Sequence, residues 1–162
     1  MALKLKEVEQ IVNSELTSKI KKTTIEFGEL LVETNEDDLI QVIRFLKSHD
    51  KLKFRQLIDI AGVDFPEEEK RFKLIYLLLS HEMNKRVKIL INFEIKKKIP
   101  TMTKVYPSAN WMEREVFDMY GIEFIDHPDL RRILTDYNFE GHTGCHSGHE
   151  HNSVPHRWKS RL

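Results

Sequence analysis

Apolar residues recur along the chain at two periods, one helical and one alternating. The switches between them mark successive elements. Leu3, Leu5, Val8, Ile11, Val12 and Leu16 keep a helical spacing, which predicts an amphipathic first helix over about residues 3–17. Lys21 to Thr34 reads as a hairpin. Thr24-Ile25-Glu26-Phe27 and Leu30-Leu31-Val32 flank Gly28-Glu29, and glycine supplies the positive φ of a tight turn. Asn35 is a candidate N-cap, with Asp37 and Asp38 in a first turn where the helix dipole favours acids. Leu39, Ile40, Val42, Ile43 and Leu46 then predict a second helix ending near Ser48.

Three strands follow. Phe54 to Phe65 carries Leu57, Ile58, Ile60 and Val63, and Pro66 with Glu67-Glu68-Glu69 marks a turn. Arg71 to His81 and Arg86 to Ile95 form a second expected hairpin around Glu82-Met83-Asn84-Lys85. Alternation fades over Ile75 to Leu79, which predicts a strand covered on both faces. Pro100 and Pro107 bracket a linker, and Ser108 or Asn110 can cap a third helix. The order α-β-β-α-β-β-β predicts a two-layer α+β domain with a mixed sheet of about five strands and two helices. A third helix and an extended segment complete it. The expected divisions are residues 1–105, 106–142 and 143–162.

Composition narrows the function classes. Lys and Arg number 26 and so do Asp and Glu, so the formal net charge is zero. A nucleic-acid binder needs a basic face to neutralise phosphates, and the balance argues against one. At 162 residues the chain can bury most of its unfolded surface and needs no disulfide or metal to fold. The single cysteine, Cys145, excludes an internal disulfide and cannot hold an iron–sulfur cluster, which takes several thiolates. No apolar run approaches the ~20 residues of a membrane span, and the N-terminus lacks an apolar signal core. The expectation is a soluble chain that meets a membrane only through other proteins. There is no glycine fingerprint for a dinucleotide and no Walker-type loop.

Chemistry concentrates in Trp111-Met112-Glu113-Arg114-Glu115-Val116-Phe117-Asp118-Met119-Tyr120-Gly121-Ile122, continued through His127-Pro128-Asp129-Leu130-Arg131-Arg132-Ile133-Leu134-Thr135-Asp136-Tyr137. On a helical wheel Met112, Val116, Phe117, Met119 and Tyr120 fill one arc, and Arg114, Glu115 and Asp118 the opposite side. Glu113 falls inside the apolar arc. A carboxylate there needs a cation or hydrogen-bond donors, or else a raised pKa. Arg131 or Arg132 could return to it across the turn at His127-Pro128-Asp129, and Arg114 can pair with Asp118 one turn on. These readings make the charges a structural network that holds segment 122–140 against the helix. A sharper reading has Glu113, Glu115 and Asp118 bind a divalent cation for hydrolysis. One helix cannot aim all three at one ion. His127, before proline, reads as a turn residue and a poor catalytic base. The rings and arginines of this stretch also suit a buried protein–protein contact.

His142, Cys145, His146, His149, His151 and His156 could catch zinc, nickel or copper. Their spacing matches no closed structural site, and residues from about 143 onward read as a mobile tail with adventitious metal affinity.

The segments Glu113-Arg114-Glu115, Phe117-Asp118-Met119-Tyr120-Gly121-Ile122 and His127-Pro128-Asp129-Leu130-Arg131-Arg132-Ile133-Leu134 closely resemble the signature of one family. That family is the C subunit of the proton-pumping NADH:quinone oxidoreductase, respiratory complex I. The resemblance covers about residues 1–142. It implies a non-catalytic scaffold in the hydrophilic arm, which supports electron transfer from NADH to quinone coupled to proton translocation. It implies no flavin, cluster or quinone site on this chain. FMN, iron–sulfur clusters and quinone would sit on partner subunits, and the hydrophilic-arm subunits it would pack against are chiefly D and B. It also implies a peripheral place on the cytoplasmic face of a bacterial inner membrane, or the matrix face of a mitochondrial one. The interface and network residues it points to are Glu113, Arg114, Glu115, Asp118, Tyr120, His127, Asp129, Arg131 and Arg132. An equivalent component of the membrane-bound hydrogenases is the alternative assembly. After Phe139-Glu140-Gly141-His142 the family continues with a Pro-Leu-Arg-Lys-Asp-Phe-Pro-like run, which Thr143-Gly144-Cys145-His146 replaces here.

Overall fold

The computed structural model describes residues 3–94, 96–136, 139 and 141–144. The chain forms α1 (Leu5–Glu15), β1 (Ile20–Glu26), β2 (Glu29–Thr34), α2 (Leu39–Ser48), β3 (Gln56–Asp64), β4 (Phe72–Ser80) and β5 (Lys85–Phe93). These are followed by β6 (Ile99–Pro100), α3 (Ala109–Tyr120) and β7 (Phe124–Ile125). The main sheet has the order β1-β2-β5-β4-β3. It is mixed, because β2 pairs with β5 in parallel while the other neighbours are antiparallel. This is the expected α+β domain. A short parallel pair, β6 with β7, lies outside that expectation.

Local chemistry accounts for the turns. The first hairpin turns on Phe27 and Gly28, both at positive φ (51° and 77°), rather than on Gly28-Glu29. Such a pair matches the right-handed twist of the strands, and glycine accepts it freely. Asn35 does not cap α2. Residues 36–38 form an intervening turn, Glu36 pairs with Lys97 at 3.1 Å, and the helix opens with Val42 N–H donating to the Asp38 carbonyl.

One face of the sheet is the core. Leu30, Val32, Leu74, Tyr76, Leu78, Val87, Ile89 and Ile91 are wholly buried on it, with Val8 and Val12 of α1 and Val42, Ile43 and Leu46 of α2 in the same cluster. β4 corrects one expectation. Phe72, Leu74, Tyr76, Leu78 and Ser80 are buried, while Lys73, Ile75, Leu77 and Leu79 between them are only half-buried. The outer face is apolar at three of those positions, which hides the alternation in the sequence. The same cluster runs on through Ile99, Met102, Val105, Tyr106, Val116, Ile122 and Phe124, so α3 and β7 share the core of the main sheet. Tyr106 closes the seam by donating its hydroxyl to the Phe54 carbonyl.

Candidate functional site

Helix α3 ends at Gly121, whose left-handed φ of 73° lets its N–H return to the Phe117 carbonyl at 2.8 Å. The chain passes through β7 and turns at Asp126, also at positive φ. It then runs along α3 as a strap, meeting Asn110 at residue 127, Arg114 at 131–132 and Asp118 at 132–135.

Asp118 holds that strap. Its side chain is fully buried. Oδ2 accepts the consecutive backbone N–H groups of Ile133, Leu134 and Thr135 at 3.0, 2.7 and 2.9 Å. Oδ1 accepts Arg132 Nη1 at 2.8 Å and the Thr135 hydroxyl at 2.5 Å. Burial alone would raise its pKa, but the Thr135 hydroxyl and these three amides hold it well below the usual carboxylate range. Arg132 also donates to the Thr135 hydroxyl at 2.9 Å and to the Gly141 carbonyl at 2.8 Å.

The opposite outcome meets Glu113. It too is fully buried, and Thr101 Oγ1 and Met102 N–H reach its two oxygens at 2.6 Å each. Among the described residues no arginine reaches it, and burial pushes its pKa up to about 7 despite those two hydrogen bonds. Tyr76 lies in the same dry region. Its buried hydroxyl has no partner among the described residues, and burial, then the Glu113 charge, raise its pKa well above the ordinary value. The β6–β7 pair sets this pocket. Thr101 N–H donates to the Ile125 carbonyl at 3.0 Å and so fixes the hydroxyl and amide that meet Glu113.

His127 follows the turn at Asp126, and its side chain is a buried post. Its ring is fully buried, Nδ1 accepts Asp129 N–H at 3.0 Å, and Nε2 donates to the Asn110 carbonyl at 3.1 Å. Glu113 Oε2 is 3.8 Å from Nε2. Arg114 donates through Nε to the Arg131 carbonyl at 3.0 Å and through Nη2 to the Arg132 carbonyl at 3.1 Å. Arg131 pairs with Asp129 at 2.9 Å on the surface. The Tyr120 ring lies against the backbone of Gly62 and Gly144, where an added Cβ would come within 2.8 Å.

Several expected pairings are therefore replaced. Neither Arg131 nor Arg132 returns to Glu113, and Arg114 does not pair with Asp118. The wheel places Arg114, Glu115 and Asp118 together on a polar side, but the strap buries Arg114 and Asp118 and leaves only Glu115 exposed. The three acids do not converge on a cation. Among the described residues no group of three His, Cys, Asp or Glu is placed to hold a metal. The histidine cluster from Cys145 onward lies outside the described residues. Thr101, Thr135 and His142 carry bonds that the sequence did not flag. His142 Nδ1 donates to the Asp118 carbonyl at 2.9 Å. Threonine beside proline or aspartate has no distinctive spacing, so only the folded strap reveals these partners.

This fold and signature have close relatives. Residues 32–145 match the family described as the 30-kDa subunit of respiratory-chain NADH dehydrogenase. The chain belongs to that family. The C subunit of NADH-quinone oxidoreductase from Hyphomonas neptunium is 43% identical over 130 residues, 80% of this chain and 64% of that protein. Its counterpart from Mesorhizobium japonicum is 39% identical over 142 residues, 88% of this chain and 71% of that protein. The chain thus spans about two thirds of the length of these relatives. Among solved structures, the trypsin-resistant fragment of Nqo5 superposes with a TM-score of 0.65 at 26% identity, over 79% of this chain and 100% of the fragment. The strap and its Asp118 anchor lie within the matched segment of the 30-kDa family.

Proposed function

We propose that the chain is a non-catalytic scaffold subunit of NADH:quinone oxidoreductase. It supports electron transfer from NADH to quinone, coupled to proton translocation, by docking within the hydrophilic arm. One observation carries this reading: the carboxylate of Asp118 is saturated by five donors and serves to hold a strap. An acid so occupied is architecture, not a base or a metal ligand. The NADH-quinone oxidoreductase relatives favour this assembly over a membrane-bound hydrogenase. Flavin, clusters and quinone belong to partner chains in this scheme, with subunits D and B as neighbours. No helix among the described residues is long and apolar enough to cross a membrane. Membrane association then runs through the complex, on the cytoplasmic or matrix face.

The test is affinity isolation of the tagged chain from gently solubilised membranes, with identification of the co-purifying chains. Recovery of the other hydrophilic-arm subunits together with NADH:quinone activity is expected. Recovery of the chain alone overturns the proposal.

A further inference from the structure

Charge is balanced along most of the strap, and Arg114 is the exception. Arg131 has Asp129 and Arg132 has Asp118. Arg114 is 9% exposed, and among the described residues it pairs with no carboxylate. Its hydrogen bonds go to two carbonyl oxygens, which satisfy donors but leave the charge in place. Glu115 follows it in sequence, exposed and unpaired with it. A cation largely removed from water without a counter-charge is costly, and the cost falls when a carboxylate arrives in a closed interface.

The surroundings are those of a contact anchor. Trp111 lies with its ring 5.1 Å from the Arg114 guanidinium carbon and stays 64% exposed. Arg114 grips the strap at Arg131 and Arg132, two residues before Leu134, which is 62% exposed. Ile133, Leu134 and Thr135 are pinned by Asp118, so Leu134 is presented on a fixed backbone. Tryptophan and arginine held in place are what binding hot spots use, and Leu134 adds exposed apolar surface two residues along the strap.

We propose that Trp111, Arg114 and Leu134 form the anchor of a contact with another chain of the complex. Its occupant is a segment of that neighbour with an Asp or Glu inside an apolar collar. The carboxylate meets the Arg114 guanidinium, and the collar covers Trp111 and Leu134. This rests on the scaffold reading above and adds to it the place of the contact and the chemistry of the partner.

A photo-cross-linking side chain tests it in the assembled complex. Trp111→p-benzoylphenylalanine keeps an aromatic group at the position. Irradiation is expected to join it to one other protein of the complex, at a segment that contains an Asp or Glu. Neutralising that acid, or making Trp111→Ala or Leu134→Ala, should cut recovery of that partner about tenfold or more at limiting concentration. Both alanine variants replace exposed side chains, and thermal melting of the chain alone should stay unchanged. Cross-linking within the chain, no cross-link, a segment without an acid, or full assembly of Trp111→Ala each overturns the contact. Those results leave the scaffold role standing if the wild-type chain still co-purifies with the complex. If the wild-type chain recovers no partner, the scaffold role itself falls.

Discussion

Glu113→Gln isolates the energetics of the buried acid. Burial pushes the Glu113 pKa from an ordinary 4.5 up to about 7. The folded chain therefore holds a proton that the unfolded chain has released across that interval. A raised folded pKa contributes stability that is complete below pH 4.5 and lost as pH rises through 7. At about 1.4 kcal/mol per pH unit, the difference amounts to about 3 kcal/mol. Glutamine keeps an oxygen for Met102 N–H and offers an N–H to Thr101 Oγ1, yet it cannot ionise. The two proteins should thus be equally stable near pH 4.5, with the variant ahead by up to about 3 kcal/mol at pH 8. Urea unfolding of both chains at half-unit steps from pH 4.5 to 8.5 measures the difference, and titrating groups remote from Glu113 cancel in it. A difference that stays flat with pH, or one that turns against the variant at pH 8, would refute the reasoning. Either would mean that Glu113 is ionised in the fold and compensated there. Glu113→Ala orphans the Met102 N–H rather than an arginine, and leaves the Thr101 hydroxyl to Thr103 at 2.9 Å.

Asp118→Asn keeps the shape but removes the charge opposite Arg132 and turns one of the two accepting oxygens into an NH2 donor, so either the Arg132 and Thr135 side chains or the three strap amides lose their acceptor. A loss of about 3–5 kcal/mol is expected by chemical denaturation, with faster proteolysis after Arg131 or Arg132; unchanged proteolysis would show that the strap is held elsewhere. The lowered Asp118 pKa predicts the opposite pH trend from Glu113, with stability present above about pH 4 and lost as acid protonates the folded carboxylate. Gly121→Ala forces a side chain onto a φ of 73° and sets its Cβ 2.8 Å from the His142 ring. It should cost at least about 1 kcal/mol, and equal melting would mean the helix end relaxes without penalty. Phe27→Asn puts a residue tolerant of positive φ in place of a fully exposed ring at φ 51°. A gain of about 0.5–1 kcal/mol in thermal unfolding is expected, and a loss would mean the ring packs in the free chain.

Much of the architecture was legible because it follows from short-range pattern. Val8 and Val12, or Val42, Ile43 and Leu46, recur at the helical period because one helix face meets the sheet. The strands of the second hairpin end within a few residues of the expected bounds because side-chain chemistry there changes abruptly at His81 and Lys85. The motif around Glu113 and Asp118 marked the segment and its family by residue order alone.

The partners of the charges were not legible, and the reason is geometric. A helical wheel divides residues into core and solvent, and it has no place for a later segment that covers the solvent side. Once the strap lies along α3, Asp118 and Arg114 change from surface groups to buried ones without any change in their positions on the helix. Arg132 then goes to the carboxylate that its backbone already surrounds, and Glu113 is left to a threonine and an amide delivered by β6. Local period and turn chemistry thus determined the three helices and the five strands of the main sheet, though not the short β6–β7 pair. Long-range packing alone decided which buried acid gains an arginine and a low pKa, which is left with a raised one, and which arginine meets no carboxylate among the described residues.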